Sequence, residues 1–296
     1  MKLVSQKVLL VFFLLLLSGY KIQAQSELMD LLNETEDDDK NYVSATFKST
    51  RLLNGHSIET RTGGVLEFVI SHRFGAINTG VSQLYGLDQS FVRFALEYGI
   101  TDRLNAGFGR SSFGKVVDGF LKYKLLKQSD DMPITLTAFS SMAIDTQELP
   151  EDSPADEFRY RIDYSYQLLL ARKFNSDFSM QLMPSLVHRN LAPGSEENMI
   201  FVMGVGARYK LTNRLALDFE YYNQMREMPE NIRNAVAVGL EIETGGHVFQ
   251  LIFSNATQMI EKGFLTETTD DFFDGDIHFG FNISRVFDLK PGHKKN

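Results

Sequence analysis

"YGITDRLNAGFGR" (98–110) and "YKLTNRLALDFEY" (209–221) carry one pattern twice. In each, a run ends on an aromatic and a Gly or Lys-Leu step, a Thr-Asp or Thr-Asn pair reverses the chain, and Arg-Leu opens a second alternating run. Such a unit is an antiparallel hairpin on a minimal turn. In the second copy Leu215, Leu217, Phe219 and Tyr221 share one face, and Asp218 and Glu220 take the other. Ahead of the first turn, Val92, Phe94, Leu96, Tyr98 and Ile100 oppose Arg93 and Glu97. A period of two separates these sets, whereas a helix would mix them.

Outward from these hairpins the chain divides into stretches of roughly the ~10 residues with which a tilted strand crosses a bilayer. They fall at 64–74, 90–100, 103–111, 116–127, 134–144, 159–172, 178–189, 199–211, 214–223, 234–243, 246–254 and 276–287. The gaps after even-numbered stretches are short: 101–102, 128–133, 173–177, 212–213 and 244–245. Those after odd-numbered ones are long, at 75–89, 145–158, 190–198, 224–233 and 255–275, with 112–115 the exception. Short turns on one side and long loops on the other distinguish an outer-membrane barrel from a soluble sandwich. The fold class is therefore all-β: an antiparallel up-and-down transmembrane β-barrel of about twelve strands over 63–288. The segment "FKSTRLLNGHSIET" (47–60) has an Asn-Gly hairpin signal but no clean lipid face. It either adds two strands, giving fourteen, or folds back as a plug.

Lys2 and Lys7, the apolar run 8–17 and the small Ala24 before Gln25 make 1–24 a secretory signal peptide. Ten apolar residues fall well short of the ~20 a spanning helix needs. Residues 25–62 form an acidic periplasmic tail and lead-in, and 289–296 a basic C-terminal tail. Cysteine is absent, so the fold relies on its hydrogen-bond ladder and packing. Without the leader the chain has 27 bases against 38 acids, which argues against a nucleic-acid partner. Tryptophan is also absent, so an interfacial aromatic girdle falls to the 11 Tyr and 24 Phe.

The faces assigned inward bring together Glu67, Arg93, Glu97, Lys122, Lys124, Arg161, Asp163, Arg208, Asp218, Glu220, Glu241 and Glu243. Lumen charges either line water or neutralise one another across it. Twelve strands enclose less space than a general porin, so an open pore and a plugged interior are equally compatible with these residues. On this register Phe94→Arg is expected to cost ~2–4 kcal/mol, the range for a cation at the midplane of a barrel. Arg93→Ala is expected to leave stability little changed. Loop 255–275 is expected to be accessible from outside.

Other motifs are weak. "GRSSFGK" (109–115) has phosphate-loop spacing, but Val116 stands where Ser or Thr would hold magnesium and no helix pattern follows. The histidines are scattered and no cofactor is implied. Asp270, Asp271, Asp274 and Asp276 crowd the last loop and form a weak calcium candidate. His188, with Ser195 near it in sequence, is the one histidine placed for lipid chemistry, and no catalytic triad accompanies it.

The segments "FKSTRLLNGHSIET", "ISHRFG" (70–75), "DGFLKYKLLKQ" (118–128) and "GDIHFGFNISRVF" (275–287) together resemble a domain-of-unknown-function family of β-barrel proteins from Bacteroidota. The resemblance implies a barrel in the cell outer membrane and supplies no catalytic residues. The last block is also similar to the signal read by the barrel-assembly machinery, with Ile277, Phe279, Phe281 and Ile283 on one face and Phe287 at its end. Expected partners are thus that machinery, outer-membrane lipids and a small solute of unassigned identity. The functional expectation is a porin-like channel or selective uptake barrel rather than an enzyme, with a lipid-modifying enzyme or a structural scaffold as alternatives.

Overall fold

The computed structural model describes residues 41–148, 153, 157–192 and 197–289. The leader, the acidic stretch before residue 41, much of the acidic loop after Asp145 (Glu151, Asp152 and Asp156 among it), Ser195 and the end of the basic tail lie outside that range.

Twelve strands form one closed antiparallel barrel in which each pairs with its chain neighbours and the last returns to the first. They are β1 (Val65–Ala76), β2 (Ser90–Gly99), β3 (Leu104–Ser111), β4 (Val116–Leu126), β5 (Thr135–Asp145), β6 (Ile162–Lys173), β7 (Phe178–Arg189), β8 (Met199–Lys210), β9 (Leu215–Gln224), β10 (Val236–Thr244), β11 (His247–Ser254) and β12 (His278–Asp288). Closure leaves no unpaired edge, which a lipid environment requires. Segment 47–60 adds no strand to this wall: β1 pairs directly with β12, from Val65 opposite Asp288 to Ala76 opposite His278.

The repeated turn is four residues long, because the strands stop at Gly99 and resume at Leu104. Thr101 Oγ1 accepts from the N–H groups of Arg103 (3.2 Å) and Leu104 (2.9 Å), and the Thr101 N–H donates to the Leu104 carbonyl (3.1 Å). Thr212 repeats this with Arg214 (3.2 Å) and Leu215 (3.1 Å). Asn175 does the same through Oδ1 with Asp177 (2.9 Å) and Phe178 (2.8 Å), and Ser129 Oγ accepts from Met132 (3.2 Å). Four short turns thus begin on a side-chain acceptor that takes the place of a missing backbone partner.

Facing lipid, Phe94, Leu96, Phe108, Leu121, Leu168, Phe201 and Phe253 are exposed along the strands. Phe74 stacks on Phe279 at 5.8 Å and Phe253 packs on Phe279 at 5.5 Å near the outer ends of β1, β11 and β12, so phenylalanine stands in for the missing tryptophan there. A depression of about 610 Å³ on the outer wall, where Ala138, Ser140 and Pro184 sit among Tyr123, Tyr166 and Phe201, belongs to this hydrocarbon surface and not to the lumen.

Two expectations change here. Arg161 belongs to a 3-10 turn (Phe158–Arg161) at the outer rim, where its Nη1 donates to the Gln147 carbonyl, rather than to a lumen strand. Loop 255–275 does not stand out into solvent over its whole length. Its helix α1 (Glu261–Thr266) lies in the barrel mouth with Phe264 and Leu265 buried, because Met259, Ile260, Phe264 and Leu265 remove more apolar surface from water inside than outside. Only the turn around Phe273, 84 % exposed, projects.

Candidate functional site

The lumen is filled by a hairpin. Residues 49–57 enter from the side of the short turns, pair once across Arg51 and His56, and close with the Leu52 N–H on the Gly55 carbonyl (2.9 Å). The Asn-Gly signal in "LLNGH" places the reversal at Asn54-Gly55. The Ser57 N–H also donates to the Thr50 carbonyl (2.9 Å), and the hairpin's main chain meets the wall through side chains of the wall.

Glu220 on β9, fully buried, accepts three successive N–H groups: Leu53 (3.1 Å), Asn54 (2.9 Å) and Gly55 (3.1 Å). Gln250 on β11 donates to the carbonyls of Arg51 (3.2 Å) and Leu52, and Asn282 on β12 donates to that of Leu53 (2.8 Å). Across the lumen, Gln181 on β7 donates to the His56 carbonyl (2.8 Å) and accepts from the Ile58 N–H (2.9 Å). Thr137 on β5 donates to the Ile58 carbonyl (3.3 Å). An unpartnered buried amide costs ~1–3 kcal/mol, so these wall side chains do for the hairpin what a neighbouring strand does elsewhere.

Side chains of the hairpin are also matched. Leu52 fits where Gly206 on β8 has no Cβ and Leu53 where Gly239 on β10 has none; a Cβ would lie 2.6 Å and 2.4 Å from the leucine methyls. His56 is packed against Phe120 (4.6 Å) and Phe139 (4.4 Å). Its Nδ1 is 3.5 Å from Lys122 Nζ and its Nε2 is 3.7 Å from Glu261 of α1. The hairpin is not a spanning strand, and burial, with Arg51, Lys122 and Arg93 nearby, holds the His56 pKa well below the ordinary value, so the ring is neutral. Burial likewise raises the Glu261 carboxyl, against the opposing pull of Arg51 and Arg93.

The sequence-assigned lumen residues separate into three groups. Lys122 pairs with Glu97 (3.0 Å) and Arg208 with Glu241 (2.8 Å), directly across the wall. Others meet partners outside the assigned set. Arg93 is bidentate to Asp118 (3.0 and 2.5 Å), Glu67 to Arg61 (2.9 and 2.7 Å), and Asp163 binds Lys262 of α1 (2.7 Å). At the periplasmic mouth Glu243 meets Lys48 (3.0 Å) and Lys124 meets Glu59 (3.7 Å). Asp218 is buried, and neither carboxylate oxygen has a hydrogen-bond partner among the described residues.

Sequence reasoning missed Arg73, which is fully buried on β1 and donates to the Asn54 side-chain oxygen (2.9 Å), and also Asp118, Gln181, Gln250 and Asn282. Asp118 was readable, since it shares a face with Lys122 four residues on; the amides carry no charge and gave no comparable signal. The lumen is also not polar throughout. Phe139, Leu169, Met183, Val187, Ile200 and Val202 on β5 to β8 form an apolar cluster with Phe47, Leu52, Ile58 and Phe264.

The four aspartates of the last loop do not converge. Asp270 faces His278 Nε2 (2.6 Å), Asp271 binds Arg233 (3.1 Å) and Asp276 binds Asn78 (2.5 Å). Among the described residues no group of three or more His, Cys, Asp or Glu is arranged to hold a metal ion. His188 stacks on Tyr164 (6.4 Å) near the outer end of β7, with no catalytic partner shown beside it.

Residues 47–287 match the profile of the family described as "Membrane bound beta barrel domain (DUF5777)". The chain belongs to that family. The match begins ahead of β1, so the DUF5777 domain includes the lumen hairpin as well as the wall. Together with the closed barrel, its apolar outer face and its even strand number, membership places the protein in the outer membrane. No curated protein matches the chain. Solved structures similar to it include the NanC porin (10 % identity, TM-score 0.48, 76 % of this chain and 99 % of that one). The COG4313 outer membrane channel from Pseudomonas putida F1 is similar at 14 % identity and TM-score 0.43, over 77 % and 97 % of the chains. Outer membrane phospholipase A from Escherichia coli is similar at 11 % identity and TM-score 0.41, over 76 % and 93 %. Similarities this distant, spanning channels and an enzyme, carry no functional argument.

Proposed function

We propose that this DUF5777 barrel is a gated channel for small solutes, closed by its own N-terminal hairpin and opened when the hairpin withdraws toward the periplasm. The observation that carries this reading is that the barrel closes without the hairpin. β1 pairs with β12, and the hairpin is held by side chains of the wall, so its departure breaks no rung of the ladder. The vacated lumen would keep the Arg93–Asp118, Lys122–Glu97 and Arg208–Glu241 pairs and uncover Glu67, Glu220, Glu243 and Glu261 against Arg73 and Lys124, a lining whose excess of acid favours cations. The reading is of transport, not catalysis.

A scaffold role is favoured by a different observation: the apolar cluster joining β5 to β8 with Leu52 and Ile58 resists wetting. Planar-bilayer recordings separate the two. The full-length protein is expected to be silent apart from brief openings, and full-length Leu52→Asp/Leu53→Asp, whose hairpin cannot enter the glycine pockets, to give sustained cation-selective steps. A folded, heat-modifiable double variant without conductance overturns the channel and leaves the scaffold.

A further inference from the structure

The lumen recognises its occupant chiefly by main chain, and this points to what else it can hold. Glu220, Gln250, Asn282 and Gln181 together contact backbone groups of Arg51, Leu52, Leu53, Asn54, Gly55, His56 and Ile58. Backbone groups are common to all peptides, so such contacts tolerate changes of sequence and give affinity, while pockets give selectivity. Two pockets are cut for aliphatic side chains over Gly206 and Gly239, and one for a flat ring at Phe120 and Phe139.

The charge pattern narrows the class. Of the carboxylates that face the N-terminal segment, Glu67 is neutralised by Arg61, Glu261 faces Arg51 at 3.5 Å and Glu243 meets Lys48. Glu220 is met by backbone N–H groups. When the segment leaves, Lys48, Arg51 and Arg61 go with it and so does Glu59; Glu67, Glu243 and Glu261 lose their partners while the wall gains only Lys124 and the buried Arg73 near Glu220 as freed bases, which leaves an excess of negative charge. A lumen filled only for stability could have been closed by bulky wall side chains; here glycines stand opposite leucines.

We infer that the lumen is a peptide-binding site, occupied in this structure by the chain's own residues 45–62, and that the solutes it admits are short basic peptides with an aliphatic pair. The inference deepens the gated-channel reading, on which it rests for the withdrawal of the hairpin.

The test uses full-length Leu52→Asp/Leu53→Asp protein refolded in detergent, with a fluorescent synthetic peptide of residues 45–62 and fluorescence anisotropy as readout. Saturable binding is expected for this peptide. It is also expected for basic peptides of different sequence that keep the Leu-Leu pair, with at least about tenfold weaker binding when both leucines become aspartate. Adding Glu220→Gln is expected to weaken all binding peptides about tenfold, the effect of removing one charge-assisted acceptor. If the double variant does not fold, Arg61→Glu loosens the chain's own segment while the added peptide supplies Arg61. Absence of binding to a folded barrel overturns the inference, as does binding restricted to the chain's own sequence. Binding without conductance leaves the peptide site standing and overturns the channel instead.

Discussion

β9 and the lumen hairpin lie against each other, and they are held by different means. β9 exchanges main-chain hydrogen bonds with β8 and β10 along its length, from Val202 opposite Gln224 and Lys210 opposite Ala216 on one side to Val236 opposite Tyr221 on the other. The hairpin has a few internal contacts, among them the Arg51–His56 bridge and the main-chain bonds Leu52 N–H to Gly55 and Ser57 N–H to Thr50, and it is joined to the wall through carboxylate, amide and hydroxyl side chains. A ladder is cooperative along a strand, whereas side-chain anchors act at separate points. On the gated-channel proposal the wall is the permanent part of the molecule and the hairpin the part that comes away.

The largest expected effect tests the wall. Arg93 and Phe94 are adjacent on β2, one fully buried against Asp118 and the other exposed to lipid. Arg93→Ala leaves Asp118 buried without its partner and should cost about 3–5 kcal/mol. Phe94→Arg should cost about 2–4 kcal/mol in lipid. Urea unfolding in lipid vesicles measures both. The sequence reading expected Arg93→Ala to be nearly silent, and the bidentate pair is why that expectation fails; a small loss at Arg93 would restore it.

Glu220→Gln should act mainly on the hairpin. Removing the charge that gathers three N–H groups weakens seating by about 1–3 kcal/mol. Protease cleavage in 41–62 should accelerate while the gel shift of the barrel is unchanged. If both change together, hairpin and wall are one cooperative unit.

Acid should loosen the same element. His56 is neutral when seated because its pKa lies well below the ordinary 6.5, so the unseated hairpin binds the extra proton first. Seating is then complete above about pH 6.5 and declines as pH falls below it, at no more than about 1.4 kcal/mol per pH unit. Glu261, shifted upward, acts in the opposite sense: its contribution to seating grows as pH falls through its raised seated value and is complete below the ordinary 4.5. Cleavage rates of the hairpin between pH 7.5 and 5.5 measure this, and His56→Asn should flatten the profile.

The smallest effect belongs to the turns. Thr212→Ala and Asn175→Ala each remove a side-chain acceptor at an exposed reversal and should cost about 0.5–1.5 kcal/mol without touching the hairpin. Thermal melts in detergent read this, and Ser at either position should recover most of the loss.

These particulars mark what was legible in the sequence. The strands were readable because lipid on one side forces an alternation that survives in a single chain, as Val92 to Ile100 shows. Strand ends were readable to within a few residues, and Arg161 was misplaced because a 3-10 turn precedes β6. The fate of 47–60 stayed open between strands and plug, since an Asn-Gly turn serves both. Many lumen charges were found, though Arg73 and Asp118 on the same strand faces were not, and many partners were missed because Arg61, Lys48, Glu59 and Lys262 sit outside the periodic strands from which the list was drawn. The amides that hold the hairpin have no sequence signature, since a Gln facing inward looks like any polar residue on a lumen face.

Hydrogen exchange on the full-length refolded protein tests the removable hairpin most directly. The amides of Leu53, Asn54 and Gly55 are buried and hydrogen-bonded to Glu220, so a snapshot alone would rank them with the strand amides. The expected result is exchange of these three through a local opening, well ahead of β9 and β10 amides and faster in Glu220→Gln, with the barrel intact throughout. Exchange of the hairpin and the strands at one common rate, set by global unfolding, would contradict the account.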